Sequence, residues 1–206
     1  MVAIIDYGVG NLFSLCSSLE RIGTEAVVTS DPEVIRKADK LILPGVGAFA
    51  DAARKLRDSG LDGVIKEQAA AGKDLMGICL GMQLLFEKSY EFGCHGGLGL
   101  LKGSVIPMEG TIPAGFKIPH IGWNALHFHK ESKLLRHIKE GDCVYFVHSF
   151  YAVDCDESVI ATAEYGRELT AAVQNGNIMG CQFHPEKSGE VGLNILRAFC
   201  EMEENT

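Results

Sequence analysis

The chain has 206 residues, 47% hydrophobic and 22% charged, which is ample for one compact domain with a large core and too apolar for disorder. Its 19 basic against 27 acidic residues give a formal charge of −8, with no basic run that could follow a phosphate backbone, which argues against nucleic acid as a ligand. Seven scattered cysteines without CxxC spacing, and no apolar run near the roughly 20 residues that span a bilayer, argue against a disulfide framework and a membrane anchor, so a reduced, cytoplasmic domain is expected.

From the N-terminus, short β-rich apolar runs alternate with helical stretches: 2–5 then 12–22, 26–29 then 33–38, and 40–43 then 49–57 and 61–71. This βαβα punctuation implies a largely parallel sheet covered by helices. Asp31-Pro32 suits an N-cap followed by proline at the first helical position, and Gly23, Gly60 and Gly72 stand just past helix ends. A strand over 75–78 leads directly into Cys79 and a helical run over 82–90. After Gly93 the chain turns rich in glycine and proline, and strand-like runs then cover 123–128, 143–153, 158–164, 169–174 and 178–183. The last two flank Asn175-Gly176, a dipeptide that tolerates the positive φ values of a tight primed turn, and so read as a hairpin. An amphipathic helix over 188–201, apolar at Val191, Leu193, Ile195, Leu196 and Phe199, closes the chain. The expected fold is α/β, one domain over 1–206, with a central, mostly parallel sheet flanked by helices and a β-rich C-terminal half.

Three segments can carry chemistry. Gly77-Ile78-Cys79-Leu80-Gly81, between a buried strand and a helix, is the nucleophile-elbow pattern with cysteine in the serine position. Side chains at Gly77 and Gly81 would crowd such a turn, which lifts the sulfur above the sheet toward a helix N-terminus that favours thiolate. The Leu80 N–H would face the same space as an oxyanion donor. The pentapeptide also suits a small buried cysteine at a glycine-rich turn.

His184-Pro185-Glu186 follows the last strand. In extended chain, residues two apart share a side, so Glu186 can reach the His184 imidazole, fix its tautomer and stabilise its cation while the other nitrogen faces the thiol. Both motifs lie at carboxyl ends of strands, where open α/β sheets build sites, and together they form a Cys79-His184-Glu186 triad for acyl transfer. Pro44-Gly45-Val46-Gly47 follows another strand end and can turn a peptide N–H, at Val46 or Gly47, toward a developing oxyanion.

GICLGMQ (77–83), PGVG (44–47) and FHPE (183–186) resemble the class I, triad-type glutamine amidotransferases, and the likeness runs along nearly the whole chain. Within that class, IIDYGVGN (4–11), IPHIGWN (118–124), YFVHSF (145–150) and HPEKS (184–188) are similar to the glutaminase subunits of imidazole glycerol phosphate synthases. The resemblance implies that Cys79 attacks the glutamine side-chain amide, His184 protonates the leaving ammonia and later activates water, and Glu186 orients His184. It also implies that Val46 and Leu80 supply the oxyanion N–H groups and that Gly47, Gln83, Ser149 and Phe150 hold glutamine. The implied partner is a (βα)8-barrel cyclase that takes up the ammonia, with Asn11, Trp123, Tyr145 and Lys187 facing it; no cofactor or metal is implied. Phe150 stands where tyrosine is frequent in the family, so a backbone contribution is expected there.

Other features receive plainer readings. Gly8-Val9-Gly10 lacks the third glycine of a dinucleotide fingerprint, since Phe13 takes its place. His127 and His129 share a strand face without a third ligand at suitable spacing and read as surface histidines. Two alternatives to the leading reading remain at the level of sequence: a glutaminase serving another synthase, such as pyridoxal phosphate synthase, and a catalytically silent thiol sensor that needs neither His184 nor Glu186.

Overall fold

The computed structural model describes residues 1–202. Its first half alternates β1 (Val2–Ile5), α1 (Leu12–Arg21), β2 (Ala26–Thr29), α2 (Pro32–Lys37), β3 (Lys40–Leu43), α3 (Phe49–Asp58), α4 (Leu61–Ala70), β4 (Asp74–Ile78) and α5 (Leu80–Leu85). The second half holds β5 (Phe86–Ser89), β6 (His95–Gly96), β7 (Leu101–Pro107), β8 (His120–Ala125), β9 (His127–Phe128), β10 (Cys143–His148) and β11 (Phe150–Val153). It continues with β12 (Val159–Glu164), β13 (Glu168–Asn175) and β14 (Ile178–Cys181), and α6 (Gly189–Cys200) closes it. The main sheet runs β2-β1-β3-β4-β14-β13-β12-β9. Pairings from β2 through β14 are parallel, and those from β14 to β9 are antiparallel. The parallel part is thus the part built by βα units, extended by strands that return through tighter connections.

Successive strand residues point to opposite faces, and every residue of β1, β3 and β4 is buried. Ala3, Ile5, Leu41, Leu43 and Leu75 join one core with Phe49, Leu56, Leu61 and Ile65 of α3 and α4. Their neighbours Val2, Ile4, Ile42, Met76 and Ile78 join the other with Leu15 and Leu19 of α1 and Ile195, Leu196 and Phe199 of α6. Each buried valine, leucine, isoleucine, phenylalanine or methionine among them contributes roughly 1.5–3 kcal/mol. The helix ends follow their sequence signals: Asp31 accepts the Glu33 N–H at 2.8 Å with Pro32 opening α2, and Gly23, Gly60 and Gly72 take positive φ.

The second half departs from expectation in five places. The helix expected over 82–90 stops at Leu85, where Phe86 turns extended (φ −74°, ψ 170°) and opens β5. The cause is non-local: Leu98, Leu100 and Gly99 donate their N–H groups to the carbonyls of Leu84, Leu85 and Phe86 at 2.7, 2.8 and 3.1 Å. The glycine-rich segment thereby satisfies acceptors that a helix end leaves open. Gly97 comes so near that a Cβ would lie 2.2 Å from the Phe86 oxygen. β5 then pairs with β7, a strand hidden by its glycine and proline, in a four-stranded sheet β11-β7-β5-β6.

The run 143–153 breaks at Ser149 into β10 and β11, which join different sheets. Likewise 123–128 breaks at Leu126 into β8, paired with β10, and β9, on the edge of the main sheet. The hairpin between β13 and β14 forms around Gly176-Asn177, with positive φ at Gly176 alone, one position later than the dipeptide suggests. No helix among the described residues is long and apolar enough to cross a membrane.

Candidate active site

β4 ends at Ile78 and α5 begins at Leu80, so Cys79 makes the turn by itself, at φ 55° and ψ −113°. A conformation of this kind costs a residue with a side chain on the order of 1–3 kcal/mol. The Cys79 N–H donates to the Cys181 carbonyl at 2.7 Å, one step beyond the β4-β14 ladder. Glycines admit the surrounding backbone. A Cβ on Gly77 would lie 2.6 Å from the Gly81 carbonyl oxygen, and one on Gly81 1.8 Å from that of Leu43. One on Gly45 would lie 2.8 Å from both the Gly81 nitrogen and the Tyr7 hydroxyl. The elbow is therefore pressed against the end of β3 and the 44–47 loop, which the Tyr7 hydroxyl secures by donating to the Pro44 carbonyl at 2.7 Å. Burial first, and then the charge of Cys79, push that phenol above its ordinary value, so it remains a donor.

Beyond β14, His184 is extended (φ −100°, ψ 99°), as a residue before proline prefers, and a 3-10 turn over Pro185–Lys187 follows. His184 Nδ1 lies 2.8 Å from Glu186 Oε1, and both side chains are 3% exposed. An ionised carboxylate only accepts, so the proton sits on Nδ1. Glu186 Oε2 is buried with no protein partner among the described residues, which leaves the imidazole as the carboxyl group's one hydrogen-bond partner. Burial opposes charge on the imidazole, but hydrogen bonds to Cys79 and Glu186, and their charges, raise its pKa to about 9. The turn is clamped to β10: the His184 N–H donates to the Tyr145 carbonyl at 2.9 Å, and the Ser188 hydroxyl donates to the His184 carbonyl at 2.6 Å while accepting the Tyr145 N–H at 2.9 Å.

A cavity of about 360 Å³ opens where these parts meet. Val46 and Gly47 reach it from the loop after β3, and Cys79, Leu80 and Gln83 from the elbow. Ser149, Phe150, His184 and Lys187 reach it from the C-terminal half, while Glu186 stands behind His184. Leu80 opens α5, where the first N–H groups have no acceptor within the helix. Gln83 Nε2 donates to the Phe150 carbonyl at 3.1 Å, which ties the elbow helix to the start of β11. Sequence reasoning missed Glu91 and His148, both on the cavity wall. Glu91 Oε2 accepts the Phe49 N–H at 2.6 Å, which fixes a carboxyl group at the rim.

His148 belongs to a hydrogen-bonded row with a single direction. Burial, with the charges of His120 and His184, drops its pKa to about 3 despite the bond to Phe150, and burial lowers His120 to about 4, so both are neutral near pH 7. The Phe150 carbonyl, 2.8 Å from His148 Nδ1, only accepts, so Nδ1 carries the proton and Nε2 must accept. The donor to that Nε2, at 3.2 Å, is then His120 Nδ1.

The expected partner-facing residues lie beside this site. Trp123 is 65% exposed and meets Tyr145 edge-on at 4.8 Å, and the Lys187 ammonium lies 5.8 Å over the Tyr145 ring. A lone tryptophan suits core and surface alike; this one lies on the surface. Asn11 is the N-cap of α1, a helix packed against the turn that carries Lys187.

The sequence model of the family described as "Glutamine amidotransferase class-I" matches residues 3–202. The "Imidazole glycerol phosphate synthase subunit HisH" of Wolinella succinogenes is 49% identical over 204 residues, which covers 98% of this chain and 100% of that protein. Its counterpart of the same description in Aquifex aeolicus is 52% identical over 198 residues, covering 95% and 94%. A solved structure described as "Crystal structure of glutamine amidotransferase" superposes with a TM-score of 0.76 at 20% identity, over 98% of both chains, a likeness of fold.

Proposed function

The chain belongs to the class I glutamine amidotransferases, and from this premise we propose that it is the glutaminase subunit of an imidazole glycerol phosphate synthase in histidine biosynthesis. It hydrolyses glutamine to glutamate and ammonia and passes the ammonia to a (βα)8-barrel cyclase subunit, as a cytoplasmic heterodimer whose glutaminase domain spans 1–206. The observation that carries this reading is one cavity lined by Cys79 at the strained elbow and by His184, itself hydrogen-bonded to Glu186.

Cys79 Sγ, deprotonated by His184, attacks the side-chain amide carbon of glutamine. The tetrahedral oxyanion is met by the N–H groups of Leu80 and Val46, each such donor being worth on the order of 3 kcal/mol. The His184 imidazolium then protonates the departing nitrogen, and ammonia leaves a γ-glutamyl thioester. The neutral imidazole takes a proton from water, which attacks the thioester and releases glutamate and the thiolate. Gly47, Gln83, Ser149 and Phe150 hold the substrate, and the Glu91 carboxyl group suits its α-ammonium. Asn11, Trp123, Tyr145 and Lys187 form the cyclase-facing surface, where exposed Trp123 and Tyr145 are the kind of residue that anchors interfaces.

The test is ammonia release from glutamine by the chain with and without the cyclase and its nucleotide ligand. Turnover that rises with the cyclase, and co-purification of the two chains, is the expected result. Capture of a different synthase subunit would overturn the assignment.

The His184 shift sets the pH dependence. The imidazolium that protonates the departing nitrogen is lost as pH rises through about 9, so kcat/KM should fall above that pH. Glu186→Gln removes one cause of the upward shift, and the falling limb should move to lower pH. The stability that this raised pKa contributes has the same sign. It is full below the ordinary histidine value of about 6.5 and disappears as pH rises through about 9. A Glu186→Gln profile that overlays the wild type would refute this role for the carboxylate.

A further inference from the structure

We infer that Gln182 is a further catalytic residue of this site, whose side-chain N–H holds and stabilises the Cys79 thiolate. This rests on the reading of Cys79 as the nucleophile of the glutaminase. Gln182 follows β14 and is fully buried between Cys181 and Phe183, both equally buried, a place where an apolar side chain would be the ordinary choice. Its amide is instead held at both ends. Gln182 Oε1 accepts from Gln83 Nε2 at 2.9 Å, and Gln182 Nε2 donates to Cys79 Sγ at 3.7 Å.

Which end of each amide points where follows from chemistry. The Phe150 carbonyl can only accept, so the Gln83 atom facing it is nitrogen. The second hydrogen of that nitrogen requires an acceptor, so Gln182 turns its oxygen to Gln83 and its nitrogen to the sulfur. Flipping either amide would oppose two donors or two acceptors. The carbonyl at the cavity wall therefore orients two glutamines in series and delivers a donor to the sulfur, which as thiolate is the better acceptor. The ionisable groups around Sγ are His184 with Glu186 behind it, Tyr7 from beyond β1 and Cys181 of β14. The variants below leave all of them in place.

The test follows Cys79 in the full-length chain by its rate of alkylation with iodoacetamide across roughly pH 5 to 10, read by mass spectrometry of the Cys79 peptide, alongside ammonia release by the complex with the cyclase. Gln182→Met removes the donor at nearly constant volume. Gln182→Glu keeps an acceptor for Gln83 but places a carboxyl oxygen at the sulfur. The alkylation midpoint should rise by about one unit in Gln182→Met and further in Gln182→Glu. In both, kcat should fall about 10- to 100-fold with KM within about threefold.

A role in packing alone predicts unchanged midpoints in every variant that folds, and that result, or the reverse order, overturns the proposal. If Gln182→Met fails to fold, the isosteric Gln182→Glu and the shorter amide Gln182→Asn carry the same comparison, Gln182→Asn falling between wild type and Gln182→Glu. Ammonia release that survives Cys79→Ala would instead overturn the glutaminase reading itself. Inert Cys79→Ala beside wild-type behaviour of the Gln182 variants would overturn the role of Gln182 alone.

Discussion

Cys79→Ala should reduce glutamine turnover by about 10⁴- to 10⁶-fold, measured as ammonia released by the complex with the cyclase. Among the side chains on the cavity wall, Cys79 alone sits at a strained turn beside a histidine that is itself held by a carboxyl group. Alanine at this position removes the proposed nucleophilic sulfur while leaving the backbone and its Cys181 hydrogen bond intact. The circular dichroism spectrum should therefore match the wild type, and glutamine should still bind. His184→Ala should fall almost as far, because a thiol that cannot give up its proton and an amide nitrogen that cannot gain one stop the same step. A variant carrying both changes should fall no further than Cys79→Ala, since groups that act as one unit are not additive. A thiol sensor with the same elbow would need neither His184 nor Glu186. Equal ammonia release from wild type, Cys79→Ala and His184→Ala would sink the triad.

What the sequence discloses here depends on how local the cause is. The elbow is legible because its demand for glycine is local: Gly77 and Gly81 flank the one residue that turns. His184 and Glu186 are legible because they stand two apart around a proline, although the pair is closed by the 3-10 turn over Pro185–Lys187 and not by the extended chain that the spacing suggested. The end of α5 is not, because what stops the helix is Leu98 and Leu100 donating to its last carbonyls, those of Leu84 and Leu85, and the pairing of β5 with β7. Nor does any short pattern mark Gln182 or Glu91. Gln182 meets Gln83 across 99 positions and Glu91 meets Phe49 across 42, and a glutamine just past a strand or a loop glutamate looks the same whether or not such a partner is near. Trp123 shows the opposite limit: a resemblance placed it at an interface, whereas its chemistry alone suited core and surface equally.

The other large effect is expected from a single methyl group. Gly81→Ala should destabilise the chain by more than about 4 kcal/mol, the range of the severest point substitutions. Gly81 lies in the first turn of α5, outside the positive-φ region, so alanine ought by helix propensity to be favourable by nearly 1 kcal/mol. Propensity loses because the Cβ would stand 1.8 Å from the Leu43 carbonyl oxygen and 2.8 Å from its carbon. Both are backbone atoms at the end of a buried strand, so neither can step aside as a flexible side chain would. Relief requires α5 and the 44–47 loop to move apart. That would separate the Leu80 N–H from Val46 and lower kcat in whatever fraction folds. For a chain of this length, a loss of about 4 kcal/mol corresponds to a fall in Tm of roughly 8–16 °C. Gly63→Ala is the matched control, since it lies inside α4 with nothing within 4 Å of the added carbon, and it should hold or slightly raise Tm. A Gly81→Ala protein melting within about 2 °C of wild type would show that the elbow and the loop are not pressed together, and with that the two proposed oxyanion donors would lose the contact that sets their spacing.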